Sequence, residues 1–153
     1  KETDHEPFFN YGLKLNHKHL PEIMYHNNLE LTPIFSPSVG DFIQGMIVSI
    51  PLHFSWLNDK IDSKKIQRLM EEFYSGANFI KVLKKDEGIS DKGYFRPDNL
   101  VGTNCLDISV FGNDDNGQLI ISSRLDNLGK GASGAAIQSM NIALGFDETL
   151  GLK

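Results

Sequence analysis

The chain has 153 residues, 40% of them hydrophobic and 23% charged, enough for about one globular domain with a real core. Its 20 acidic and 15 basic side chains leave a formal charge of −5, so no basic field draws nucleic acid or anionic membranes. No apolar run approaches the roughly 20 residues of a bilayer span. The single cysteine, Cys105, permits no internal disulfide, which is compatible with a reducing cytosol.

The opening Lys1-Glu2-Thr3-Asp4-His5-Glu6 has no initiator methionine, no signal pattern and no core-forming periodicity. It reads as linker, so the expectation is a single domain over 1–153 excised from a longer chain. His17-Lys18-His19-Leu20-Pro21-Glu22-Ile23 then sets two imidazoles before a proline that can open a helix to about Asn28. Leu29 to Phe35 reads as a strand leading into the loop Ser36-Pro37-Ser38-Val39-Gly40. Phe42 to Phe54, rich in β-branched and aromatic residues, reads as a long and largely buried strand. Asp62-Ser63 can cap a helix running to about Tyr74, with Ile66, Leu69, Met70 and Phe73 forming an apolar stripe expected to face the core.

Phe79 to Leu83 is a further strand. From Cys105 to Phe111 the chain alternates, with Leu106, Ile108 and Val110 on one face and Asp107 and Ser109 on the other. Asn113-Asp114-Asp115-Asn116-Gly117 is a strong turn signal, and Gln118 to Leu125 returns as the partner strand. Gly129-Lys130-Gly131-Ala132-Ser133-Gly134 leads into a helix through about Leu144, closed by Gly145. Strands outnumber helices and include a hairpin. The expected fold is therefore α+β, a mostly antiparallel mixed sheet with helices packed on one face.

Three segments carry candidate chemistry. His19 falls at the positive end of a helix dipole, the setting of a neutral imidazole base, and Glu22, three residues on, is in reach to orient it. Closely spaced histidines are equally ordinary solvated surface, and a second reading groups His17, His19, Glu22 and His26 as ligands of a divalent ion. The proline-initiated turn breaks that geometry, so no metal is expected. Gly129 to Gly134 can offer backbone N–H groups to a phosphate, or simply let a helix pack closely. It is neither a Walker loop nor a dinucleotide fingerprint. Cys105 begins an alternating strand without a neighbouring cation or helix terminus to activate it, so it reads as structural.

Taken together, the motifs resemble those of the N-acetyl-gamma-glutamyl-phosphate reductases. His17 to Ile23 is similar to that family's His-Arg-His-x-Pro-Glu-Ile, with Tyr11 upstream where the family often has a tyrosine. Phe35-Ser36-Pro37 matches its Phe-Thr-Pro and Gly45-Met46-Ile47 its Arg-Gly-hydrophobic stretch. Val101-Gly102-Thr103-Asn104 and Asp126 to Asn141 match its closing motifs in order. Lys18 replaces the usual arginine, Gln44 stands where arginine is common, and Ser38 where histidine is frequent.

The resemblance implies the fold of the glyceraldehyde-3-phosphate dehydrogenase C-terminal domain and a parent enzyme of arginine biosynthesis. That enzyme is cytoplasmic and homo-oligomeric, and reduces an acyl phosphate to a semialdehyde with NADPH. The NADP would be bound mainly by an N-terminal domain, a partner of this one. The dinucleotide fingerprint and the family's Pro-Gly-Cys nucleophile are absent from these 153 residues. By the same resemblance His19 is the acid/base group and Glu22 its helper. His17, Lys18 and Tyr11 would contact the small-molecule substrate, and Asn127, Gly131 and Gly134 would lie near the cofactor. The runner-up reading is a noncatalytic binding or oligomerisation module on the same fold.

Overall fold

The computed structural model describes residues 6–57 and 61–153, in two compact units divided after Ile43. Lys1–His5, expected to be linker, lie outside the described residues. In the first unit, β1 (Phe8–Asn10) pairs antiparallel with β2 (Ser38–Gly40), and α1 (Leu20–Asn27) lies between them in sequence. Ser38 Oγ donates to Asn10 Oδ1 across the ribbon at 2.8 Å. Leu20, at the first turn of α1, is the buried apolar residue of this unit.

Two expectations fail here. Leu29–Phe35 forms no strand: it has alternation but no ladder partner, and Pro33 removes a donor it would need. Ser38–Gly40, expected as loop, is β2, because Phe8–Asn10 supplies the partner that no periodicity announced.

The second unit is a four-stranded mixed sheet in the order β3-β6-β5-β4, formed by β3 (Met46–His53), β4 (Ile80–Val82), β5 (Leu106–Asn113) and β6 (Gln118–Leu125). β5 and β6 make the expected hairpin through the turn at 114–117, β3 adds antiparallel to β6, and β4 adds parallel to β5. α2 (Ser63–Phe73) packs on β5 and β4 and buries Ile66, while α3 (Gly134–Ala143) packs on the π-helical turn Gly129–Ser133 that precedes it. Ile66, Phe79, Leu83, Ile108, Leu119 and Leu125 form the buried apolar core of this unit.

The register puts Met46, Val48, Ile50 and Leu52 on one face with Leu119, Ile121, Leu125, Ile108, Val110 and Gly112. A Cβ on Gly112 would stand 2.4 Å from Ser63 Cβ, so α2 covers the β5 side of this same face. The β3 side stays open. The expected long buried strand is thus shorter, starting at Met46, and is an exposed edge: Val48 is 43% and Ile50 52% accessible. The apolar stripe of α2 is likewise only partly core, since Leu69 and Phe73 are exposed and β4 offers only three residues beneath the helix.

On the opposite face Arg124 is buried. Its Nε and Nη2 both donate to Asp107 Oδ2, at 2.9 and 2.7 Å, and its Nη1 donates to Gly88 O at 2.9 Å. The Phe95 ring lies 4.6 Å from the guanidinium carbon and meets Phe111 edge-on. Every strong donor direction of the buried cation is therefore occupied, the condition under which a buried pair holds rather than destabilises.

Candidate functional site

The histidine segment is organised by the start of α1. Pro21 sits in the first turn, where its missing N–H costs no helix bond, and Leu20 N donates to His17 O at 3.0 Å to tighten the entry. His19 is the N-cap residue; its carbonyl accepts from Ile23 N at 2.9 Å, and its side chain does not cap. His19 N donates to His17 Nδ1 at 3.2 Å, which assigns the acceptor role to that nitrogen and leaves Nε2 to carry the proton of the neutral His17 ring.

These rings form a cluster. His17 lies 4.7 Å from His19, 4.8 Å from Phe35 and 6.0 Å from Tyr11, centroid to centroid. Phe35 is the member that sequence reasoning left out of the site; its place in the Phe-Ser-Pro motif was the available signal. The loop carrying Tyr11 is fixed by Tyr11 N donating to Pro37 O at 3.0 Å. Neither ring nitrogen of His19 is hydrogen-bonded, and the side chain is exposed. Tyr11, His17 and His19 are thus brought together. Glu22 and Lys18 are exposed and make no hydrogen bond among the described residues, so nothing here ties Glu22 to the His19 ring. No group of three or more His, Cys, Asp or Glu side chains fit to hold a metal occurs among the described residues, so His17, His19, Glu22 and His26 form none.

In the second unit the Asp126–Gly134 segment is built around a buried carboxylate. Asp126 is 2% accessible; Gln44 Nε2 and Gly102 N both donate to its Oδ2 at 2.7 Å, and Leu128 N donates to Oδ1 at 2.9 Å. Burial pushes this carboxyl up, but the N–H groups of Gly102, Leu128 and Gly129 and the Gln44 amide outweigh it and hold it below the usual carboxylate range. Sequence reasoning missed this hub, although Asp126 stands next to a residue it singled out.

Asn127 Oδ1 accepts from Gly45 N at 2.8 Å, so its orientation is assigned and its Nδ2 is left as an outward donor. Gly131 N donates to Asp126 O at 2.9 Å and Ser133 N to Leu128 O at 3.2 Å, the i→i−5 pattern of a π turn. Gly131 is exposed. Gly134 is buried: a Cβ there would lie 2.3 Å from Asn104 Oδ1, so glycine is required for packing. A cavity of about 390 Å³ opens beside this turn, lined among others by Gln44, Gly102, Asp126, Gly129 and Gly134. The donor set fits an edge contact to a nucleotide at Asn127 and Gly131, while the turn has no βαβ unit to cradle a whole dinucleotide.

Cys105 is half-buried before β5, with its N–H donating to Thr103 Oγ1 at 3.2 Å. It lines a second cavity beside Asp107 and Arg124, which are paired with each other. No helix of the described residues is long and apolar enough to cross a membrane.

Known proteins share these sequences. N-acetyl-gamma-glutamyl-phosphate reductase 2 of a Nostoc species is 44% identical over 152 residues, covering 98% of this chain and 47% of its own. The reductase of the same name from Trichormus variabilis is 43% identical over 152 residues, with 98% and 47% covered. That of Brucella ovis is 44% identical over 137 residues, with 90% and 44% covered. The chain thus spans about half the length of the curated relatives it matches. Residues 2–127 match the semialdehyde dehydrogenase dimerisation domain, well over half of the chain, and the chain belongs to that family.

Proposed function

We propose that this chain is the substrate-binding and acid/base half of a cytoplasmic NADPH-dependent reductase that converts N-acetyl-glutamyl 5-phosphate to N-acetyl-glutamate 5-semialdehyde. The observation that carries the reading is His19, whose unbonded imidazole stands exposed beside Tyr11, His17 and Phe35 at the start of α1. An exposed, unpaired ring on a rigid helix start is what a group that must give and take a proton needs.

In this reading a thiolate of the N-terminal domain displaces phosphate to form a thioester, and the bound nicotinamide cofactor supplies hydride. His19 gives the proton to the oxygen that gains charge on reduction, and takes one back when the aldehyde is released with the thiolate. Glu22 in the first turn of α1 assists that ring once substrate is bound. His17, fixed by the His19 N–H, shapes the pocket and presents Nε2–H to a substrate oxygen; Lys18 and Tyr11 lie on the same loop as further contacts. Asn127 Nδ2 and the Gly131 turn meet the cofactor edge, with Gly134 holding the turn closed. The family description and the open β3 face support assembly with a second copy.

The test is single-turnover reduction by the full-length protein. His19→Asn is expected to slow the chemical step about 10²–10⁴-fold, and His17→Asn less. Cys105→Ser is expected to keep most activity. A larger loss at His17 than at His19 would reassign the acid/base group, and an acyl-enzyme trapped on Cys105 would overturn the division of labour.

A further inference from the structure

A separate cleft of about 560 Å³ lies where α2 crosses β5, lined by Asp62, Ser63, Lys64, Gln67, Arg68, Lys85, Val110, Gly112 and Asp114. Its volume falls in the range of small-molecule sites. Three cations line it, and none of Lys64, Arg68 and Lys85 has a hydrogen bond or ion pair. That is unusual company in a chain of net charge −5, where acids outnumber bases by 20 to 15. Carboxylates are present in the cleft, but both are committed to the start of α2. Asp62 Oδ1 accepts from Lys65 N at 2.7 Å, while Asp114 accepts from Ser63 N at 2.9 Å and from Ser63 Oγ at 3.1 Å.

Each acid thus faces helix N–H groups, whose partial positive charge offsets it. The cations are left facing the opening. Lys64 and Arg68 are four residues apart and so stack on one side of α2, and Lys85 approaches from the segment after β4. The floor, Val110 and Gly112, is apolar and level because α2 meets Gly112 without a side chain between them. A planar guanidinium with two flanking ammonium groups is the donor set of a phosphate dianion.

We propose that this cleft binds a small phosphorylated ligand, at a site apart from the histidine cluster and from the Asp126–Gly134 turn. Arg68 takes two phosphate oxygens, Lys64 and Lys85 neutralise the remaining charge, and the rest of the ligand lies on Val110 and Gly112. The site stands independently of the reductase reading.

The test follows the Val110 methyl signals of the full-length protein by NMR during titration with pyrophosphate, against sodium chloride at matched ionic strength. This local readout ignores phosphate taken up elsewhere. Saturable shifts of Val110 with pyrophosphate and none with chloride are expected. The exposed double variant Arg68→Gln/Lys85→Gln should weaken binding at least about tenfold, since two charge-assisted contacts are removed. Lys92→Gln, outside the cleft, should not. Static Val110 signals, shifts reproduced by chloride, or an affinity unchanged in the double variant would each overturn the proposal.

Discussion

Asp126 shows how one side chain can fix three segments distant in sequence. Through Gln44 and Gly102 on one oxygen and Leu128 on the other, it ties the approach to β3, the loop before β5 and the π turn together, and so sets where Asn127 points. Asp126→Asn would keep the shape but turn an amide NH₂ toward N–H donors, leaving some of them unpaired at a cost of about 1–3 kcal/mol. The pH dependence has a definite sign. The folded-state pKa lies below that of the unfolded chain, so the carboxylate's contribution is full above the unfolded value, about 3.9 for aspartate. It is lost as pH falls through the lower folded value. Denaturant titrations should therefore show a gap between wild type and Asp126→Asn that is constant near neutrality and narrows below about pH 4. A gap independent of pH would mean that shape, not charge, holds the hub.

At the scale of elements, the contact of α2 with β5 is the tightest approach in the sheet unit. Gly112→Ala must push Ser63 aside, because the new Cβ would lie 2.4 Å from Ser63 Cβ, and Ser63 is held by Asp114 on the same turn. Overpacking of this kind costs about 1–3 kcal/mol, readable as a lowered urea midpoint at unchanged slope. Ser63→Gly in the same chain should recover part of it; if it recovers none, the clash lies elsewhere. These elements also show what sequence can carry. The β5–β6 hairpin was readable because alternation and an Asn-Asp-Asp-Asn-Gly turn agree, and α2 because a capping aspartate precedes a 3.6-residue period. β1 and β2 were not: three exposed residues have no period, and their pairing is long-range. Leu29–Phe35 misled for the opposite reason, having the pattern without a partner. Within the candidate site, the residues on one loop, Tyr11, His17 and His19, were legible together. Gln44, Gly102 and Asp126 were not, since only the folded sheet brings them to one carboxylate.

On the scale of the whole molecule, the open question is what covers the β3 side of the sheet. Val48 and Ile50 lie on an apolar face shared with Ile121 and Leu119, and α2 shields only the far half of it. Pairing through the free edge of β3 is disfavoured, because Pro51 interrupts the row of donors there. Face-to-face association is the alternative, and it agrees with a family described as a dimerisation domain. Burying a Val or Ile side chain contributes about 1.5–3 kcal/mol, and in a two-fold assembly each position counts twice. Val48→Asp with Ile50→Asp in the full-length protein should therefore shift the assembly toward smaller species in sedimentation velocity, with far-UV circular dichroism unchanged. The single variant Ile50→Ala should weaken association by a smaller amount in the same direction. If the double variant keeps the native mass at low micromolar concentration, the β3 face is not the contact, and the exposed apolar side chains of α3, Ile137 and Met140 among them, become the surface to substitute next.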